Sequence, residues 1–162
     1  MLEDYKKHCK EREEMSIPPL PLDAEQTAAL IELLKKDHKE SDFLLNLLKE
    51  RVPAGVDDAA YVKAGFLSDL TKGKTNSPYI TKEDAVVILG TMLGGYNIQP
   101  LIDCLEIDGL ADDAANALSN TLLIFDAFND IFELSKNNVY AKRVIDSLSL
   151  IHIWRCRRLG EC

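Results

Sequence analysis

The sequence predicts an all-α fold. Apolar residues recur at intervals of three and four along most of the chain, the spacing that places them on one face of a helix. Glycines, prolines and capping residues fall between these stretches, where helices begin and end. No segment shows the alternating β-branched pattern of a strand. The 162 residues fit one domain, with a core large enough to fold without disulfides or metal.

The amino-terminal part of the chain predicts a helix followed by an extended strap. Residues 2–14 are rich in charge and free of glycine and proline, which suits a helix on the outside of the domain. Its thin apolar stripe consists of Leu2, Tyr5, Cys9 and Met15. Residues 17–22 contain three prolines and cannot be helical, because each proline removes a backbone donor and pushes its predecessor toward extended geometry.

A first helical hairpin is predicted after the strap. Asp23 and Gln26 form the capping box of its first helix. The buried face of that helix comprises Thr27, Leu30, Ile31 and Leu34. Ser41 is the expected cap of the second helix, which closes at residues 52–55. That helix carries the i,i+4 pairs Phe43/Leu47 and Leu44/Leu48.

A second hairpin follows the same logic. Asp57 opens a helix that Gly73 ends. Its core positions are Ala59, Val62, Phe66 and Leu70. Thr81 and Asp84 cap the next helix, which we expect to run to Leu93.

The stretch 90–101 predicts a sharp corner between two helices. Gly94 and Gly95 end the preceding helix, since glycine readily adopts the left-handed conformation found there. Asn97 accepts the free amides of the next helix, and Pro100 falls in its first turn. That short helix buries Ile98, Leu101, Ile102 and Leu105 and stops near residues 108–109.

A third hairpin is completed by one long helix. We expect its apolar row to comprise Ala115, Leu118, Leu122, Phe125, Phe128 and Phe132. Residues 140–147 begin one more helix. The first helices of the three hairpins begin near residues 24, 58 and 98, and spacings of 34 and 40 lie in the range of two-helix repeats. The expected architecture is a short, degenerate α-solenoid of antiparallel helix pairs, with a compact helical bundle as the alternative.

Charge and composition restrict the partners. Residues 1–146 carry 16 basic and 26 acidic groups, a net charge of −10 within a chain of −8. Such a surface disfavours RNA and favours small cations or basic protein faces. No apolar run approaches the roughly 20 residues that span a bilayer, and the first residues lack the apolar core of a signal peptide. We therefore expect a cytoplasmic protein without membrane contact.

We predict no catalytic, cofactor-binding or metal-binding residue in this chain. Gly90, Gly94 and Gly95 follow a helix and lack the lysine and Ser/Thr of a phosphate loop, which favours a helix stop with close packing. Two carboxylate pairs stand at predicted helix starts, where they serve the helix dipole rather than acid–base chemistry. These pairs are Asp57/Asp58 and Asp112/Asp113.

The remaining candidate residues also favour structural interpretations. The histidines have no helical partner at ligand spacing and are expected to be solvated; they are His8, His38 and His152. The aromatic row Phe125, Phe128 and Phe132 is expected to lie in the core rather than line a ligand groove. Lysines 35, 36, 72 and 74 close helices. The cysteines lie far apart and are interpreted as free thiols; they are Cys9, Cys104, Cys156 and Cys162.

Several longer motifs resemble one family. They occupy residues 17–30, 51–53, 58–67, 125–128 and 140–142, and above all residues 90–101, which read GTMLGGYNIQPL. In this order they resemble the amino-terminal segment of bacterial aconitate hydratase B over about residues 1–146. The resemblance implies a HEAT-like α-solenoid ahead of a swivel domain and catalytic domains.

The resemblance also implies a function for the whole enzyme. That enzyme interconverts citrate and isocitrate through cis-aconitate, and hydrates 2-methyl-cis-aconitate, with a 4Fe-4S cluster as Lewis acid. Its cluster cysteines and substrate-binding residues lie downstream, so none is assigned to this chain. The expected role is non-catalytic: docking on the catalytic domains, shaping active-site access and supporting homodimer contacts. A stand-alone solenoid interaction module and an iron-linked RNA-binding domain are the alternatives.

Residues 147–162 depart from the family pattern. They resemble translated adapter sequence at the end of an assembled gene, so we expect an artefact or truncation and exclude them from the fold. The alternative is a genuine amphipathic end helix that binds a partner or an anionic membrane.

Overall fold

All regular structure in the described part of the chain is helical. The computed structural model describes residues 2–121 and 127–148. The helices are α1 (Leu2–Glu14), α2 (Ala24–Leu34), α3 (Ser41–Asn46), α4 (Asp58–Thr71), α5 (Lys82–Gly90), α6 (Ile98–Cys104), α7 (Ala111–Ser119), α8 (Phe128–Ser135) and α9 (139–148). Helix α3 continues into a π-helical turn, Leu47–Arg51. The predicted all-α class is confirmed.

Helices α4 and α5 form the centre of the packing. Helix α4 contacts α2, α5 and α6, and α5 also contacts α7. The predicted hairpin partners α2 with α3, α4 with α5, and α6 with α7 are in contact. One continuous cluster of buried apolar side chains joins these helices. The stacking of the pairs into a solenoid stays a prediction.

The amino-terminal helix and strap form as predicted. Tyr5 is buried on α1, and its hydroxyl donates to the Leu20 carbonyl at 2.8 Å. The Leu22 amide donates to the Arg51 carbonyl at 2.8 Å, which fixes the strap to the end of the π turn. Met15 departs from the predicted apolar stripe and is exposed. The chain turns away from the helix axis there, since Ser16 has φ of 57°.

Both predicted capping boxes are confirmed. The backbone amide of Gln26 donates to Asp23 Oδ1 at 2.8 Å, and the backbone amide of Asp84 donates to Thr81 Oγ1 at 3.1 Å. The predicted α2 face of Thr27, Leu30, Ile31 and Leu34 is buried. Gly73, with φ of 69°, follows the end of α4 as expected.

Ser41 was the wrong cap. Glu40 holds the capping position without a side-chain capping bond, and Ser41 is already the first residue of α3. Two contacts hold the chain before it: the Glu40 amide donates to His38 Nδ1 at 3.1 Å, and Lys6 Nζ lies 2.6 Å from a Glu40 carboxylate oxygen. The Glu40 carboxylate therefore forms an ion pair with Lys6 on α1 and does not cap α3.

The corner at residues 90–97 also differs from the prediction. Helix α5 ends at Gly90 rather than Leu93, because the amides of Thr91 and Met92 form tighter turn bonds three residues back. Asn97 acts in the opposite direction from that expected. Its side-chain amide donates to the carbonyls of Leu89 and Met92 at 2.9 and 3.1 Å, so it satisfies the end of α5.

The predicted long third helix is interrupted. Helix α7 ends at Ser119, where polar side chains compete for the last carbonyls. Thr121 Oγ1 and Asn120 Nδ2 each donate to a carbonyl four residues back, at 2.9 Å. Residues 122 and 125 lie outside the described part of the chain. Phe128 and Phe132 on α8 are exposed, so their predicted place in the core is wrong.

Candidate interaction surface

Two loops meet at the end of α5. The Leu93 amide donates to the Ala54 carbonyl at 2.7 Å, so the corner is hydrogen-bonded to the loop before α4. A Cβ atom on Gly94 would lie 1.8 Å from the Gly55 carbonyl oxygen, far inside contact distance. Only glycine allows this approach of the two backbones. The predicted close packing at Gly94 is confirmed.

Four exposed apolar side chains surround this contact, and we call them the corner surface: Val56, Tyr61, Leu93 and Tyr96. Val56 and Leu93 are 73% and 72% exposed, and Tyr61 is 64% exposed. The rings of Tyr61 and Tyr96 meet edge to face with centroids 5.3 Å apart. The Tyr96 hydroxyl donates to the Val56 carbonyl at 3.2 Å. Side chains from α4 and from both loops therefore form one patch.

An open acidic cleft adjoins the corner surface. It has a volume of about 570 Å³ and lies between the strap and the loop that leads into α4. Its apolar residues include Leu22, Pro53 and Ala59. Among the described residues that line it, four are acidic and none is basic; the acidic residues are Asp23, Glu25, Asp57 and Asp58.

The cleft does not resemble a catalytic centre. Asp23 is used as the cap of α2, and the lining includes no histidine, cysteine or serine among the residues described. A general acid–base pair or an activated nucleophile would require such groups to converge. The arrangement instead suits a cation or a basic side chain beside apolar surface.

The described residues do not fit an iron–sulfur cluster. Such clusters are held by several cysteine thiolates, whereas Cys9 lies on α1 and Cys104 is buried on α6. Burial raises the pKa of the Cys104 thiol, which opposes the thiolate form. Within residues 2–121 and 127–148, no group of three or more His, Cys, Asp or Glu side chains is arranged to hold a metal. Cys156 and Cys162 lie outside those ranges.

The other predicted candidates differ in the contacts they make where they are described. Asp112 lies in the first turn of α7, and its carboxylate accepts from Arg143 at 2.8 Å. Asp57 precedes α4 as expected but makes no capping bond. The predicted solvation of His8 and His38 is incomplete, since His8 Nε2 and His38 Nδ1 each accept a backbone amide at 3.1 Å. His152 lies outside the described residues.

The sequence did not predict two features of the domain. The first is the corner surface, because helical periodicity assigns Leu93 to the core of α5. The second is Lys63, which is 1% exposed on α4 where Val62 was expected, while Val62 is only half-buried. Burial lowers the pKa of the Lys63 ammonium to about 8, and the nearby Glu50 carboxylate partly offsets this effect. Val62 and Lys63 are adjacent on α4, and the apolar periodicity of the sequence does not show that the lysine is the more buried of the two.

Comparison with known proteins decides the family. The family described as Aconitate B N-terminal domain matches residues 4–150. The chain belongs to this aconitate hydratase B domain family. Aconitate hydratase B of Escherichia coli is 58% identical over 149 residues, and that of Synechocystis is 53% identical over 150 residues. Aconitate hydratase B of Helicobacter pylori is 47% identical over 148 residues.

The match covers nearly all of this chain and a small part of each relative. It includes 91% of the chain for the first two relatives and 90% for the third, but 17% of the length of each relative. The chain therefore corresponds to an amino-terminal segment of a much longer enzyme. None of the helices described for this aconitate hydratase B domain is long and apolar enough to cross a membrane.

Proposed function

We propose that this chain is a non-catalytic domain that docks on the catalytic part of aconitate hydratase B and shapes access to its active site. The observation that carries the proposal is the corner surface: apolar side chains held in the open by a backbone contact that tolerates only glycine. Exposed apolar patches of this kind mark contacts with other polypeptide surfaces. Because the chain belongs to the aconitate hydratase B domain family, we infer that the surface it contacts belongs to the rest of that enzyme.

The reaction itself belongs to the remainder of that enzyme. By family resemblance it converts citrate and isocitrate through cis-aconitate, and hydrates 2-methyl-cis-aconitate, with a 4Fe-4S cluster supplying the Lewis acid. The described cysteines of this chain do not form a ligand set, so we assign cluster binding to the downstream domains. A cytoplasmic location remains a prediction from the sequence.

We also propose that the helix pairs form a HEAT-like α-solenoid over residues 1–146. Support comes from contacts across successive pairs, α2 with α4 and α5 with α7. Homodimer contacts remain part of the same proposal. Residues 1–146 carry 26 acidic and 16 basic groups, and this net negative charge argues against RNA binding.

Activity measurements test the non-catalytic role. The 162-residue chain, incubated with iron and sulfide and supplied with citrate or isocitrate, should produce no change in cis-aconitate absorbance. A full-length chimera, in which residues 1–148 replace the matching segment of the E. coli relative, should turn over both substrates. Cluster-dependent turnover by the chain alone would overturn the proposal.

A further inference from the structure

We propose that the corner surface and the acidic cleft together bind a segment of the remaining aconitate hydratase B polypeptide that is apolar at its centre and basic at its edge. This inference rests on the proposed function and specifies its contact surface. About five-sixths of each relative lies outside the matching segment, since the match covers 17% of its length. In these relatives, the remainder is part of the same polypeptide as the matching segment and is therefore the partner that we infer.

The apolar part of the surface is already held in its binding geometry. The backbone that presents Leu93 is fixed, because the Leu93 amide is bonded to the Ala54 carbonyl and the next residue is packed against Gly55. The Tyr96 hydroxyl bond and the ring contact with Tyr61 restrain both aromatic side chains. Rigid tyrosines bury a large area at a small loss of conformational entropy. The patch therefore resembles the central anchor of an interface.

The charge beside this patch determines the chemistry of the partner. Asp57 and Asp58 follow directly after Val56 and line the cleft, with Asp23 and Glu25 facing them from the start of α2. None of these four carboxylates makes an ion pair with a described residue, within 2–121 and 127–148. A lysine- or arginine-bearing edge would complement them, whereas an acidic edge would be repelled.

The same charge disfavours a second copy of this chain as the occupant. A twofold dimer places identical patches against each other. The four carboxylates beside each corner surface would then face the four of the other copy. Like charges brought together at an interface oppose association. A partner of different composition fits the surface better.

Thiol labelling in the full-length chimera tests the assignment. Leu93→Cys and Val139→Cys are matched probes, because Leu93 and Val139 are both 72% exposed and lie on different parts of the domain. Maleimide labelling at each site is followed by peptide mass spectrometry in the 162-residue chain and in the chimera. We expect Leu93→Cys to label about tenfold more slowly in the chimera, and Val139→Cys to keep its rate, because a docked interface excludes water from its centre.

The other outcomes separate the surface from the function. Slow labelling at Val139→Cys alone would overturn the surface assignment and leave the docking role standing. Unchanged labelling at both sites would overturn the surface assignment, while the activity measurements on the chain and the chimera test the proposed function separately. Slow labelling at both sites would overturn the assignment of docking to one face.

Charge neutralisation tests the basic edge of the partner. Asp57→Asn with Asp58→Asn, introduced into the Leu93→Cys chimera, should raise the labelling rate by about three- to tenfold as the contact opens more often. Glu13→Gln with Glu14→Gln is the matched control, since it removes the same charge from exposed positions on α1. That control should leave the rate unchanged. Equal labelling rates for the two double variants would overturn the inference that the partner has a basic edge.

Discussion

Among the residues that the structure describes, exposed aromatic side chains lie in two regions, which differ in what surrounds the rings. At the carboxyl-terminal end, Phe128 and Phe132 stack with centroids 6.3 Å apart, and Lys136 Nζ lies 5.7 Å from the Phe132 ring centre. Arg143 lies 5.9 Å from the Tyr140 ring centre. At the corner surface, the tyrosine pair is flanked by carboxylates. The first region supplies its own cations, whereas the described residues that line the cleft beside the second are acidic and include no basic side chain.

The two regions also differ in how they are held. The carboxyl-terminal region is joined to the core by side chains, through Asn138 Nδ2 to the Leu105 carbonyl at 2.8 Å and Arg143 to Asp112. The corner surface is held by direct contact between two backbones at Gly94. Substitutions should therefore disturb the corner more severely than the carboxyl-terminal region.

The largest effect is expected at Gly94. Gly94→Ala places a methyl group against the Gly55 carbonyl and forces the two loops apart, so we expect a loss of about 3 kcal/mol or more in the free energy of unfolding. Gly65→Ala is the matched control, because a Cβ there meets nothing within 4 Å and the position lies inside α4. It should stabilise the domain by about 0.5–1 kcal/mol. Urea unfolding of both variants measures the difference, and equal midpoints would refute the backbone contact.

A buried charge on α4 provides the next test. Lys63→Met should stabilise the domain by about 2–3 kcal/mol at pH 7, because the folded chain no longer buries an ammonium group. Burial lowers the pKa of Lys63 from 10.5 to about 8, so between these pH values the unfolded chain binds more protons than the folded chain. The stability of the unaltered protein therefore rises with pH across this window.

The gain from Lys63→Met should accordingly shrink as pH rises from 8 and vanish above about pH 10.5. Urea unfolding at pH 7, 9 and 10.5 measures it. Lys39→Met, at an exposed position, is the control and should change stability by under about 0.5 kcal/mol at each pH. A pH-independent gain at Lys63 would contradict the charge explanation.

Asn97 tests the reversed cap at the corner. Asn97→Ala removes both side-chain bonds to the end of α5 and takes from the buried Met92 carbonyl its side-chain donor, while the Leu89 carbonyl keeps the Met92 amide; we expect a loss of about 2 kcal/mol. Asn120→Ala removes one exposed bond to the end of α7 and should lose about 0.5 kcal/mol. Thermal unfolding of the pair measures this, and equal losses would indicate that the Asn97 bonds add little.

The smallest effect is expected in the carboxyl-terminal region. Lys136→Ala removes a cation from the Phe132 ring and should lower the free energy of unfolding by about 0.5–1 kcal/mol, as is usual for exposed cation–π contacts. Lys136→Arg keeps the contact and should retain most of that energy. The difference in urea midpoint between the two variants measures the contact, and identical midpoints would show that these rings gain nothing from their own cation.

The sequence was most informative where local chemistry decides the structure. The capping boxes at Asp23 and Thr81 satisfy backbone amides within one turn, so their signals do not depend on distant residues. The all-α class was predicted for the same reason. The bounds of α5 were not, because Leu93 leaves the helix to bond a loop almost 40 residues earlier in the chain.

The candidate surface was harder to predict than the fold. Leu93 has the spacing of a core residue, and its exposure results from how the two loops are placed in three dimensions. Phe128 and Phe132 were misplaced for a related reason, since helical spacing indicates one face but not whether another element covers it. The polar residues at 120 and 121 were the available signal for the break after α7.

Hydroxyl-radical footprinting of unaltered side chains tests the central claim most directly. Tyr96 and Tyr140 are 37% and 36% exposed, so one ring in each aromatic region serves as a matched probe. In the full-length chimera, Tyr96 should be oxidised about tenfold less than in the 162-residue chain, while Tyr140 keeps its rate. Equal oxidation of Tyr96 in the two proteins would contradict the claim that the corner surface is covered by the rest of the enzyme.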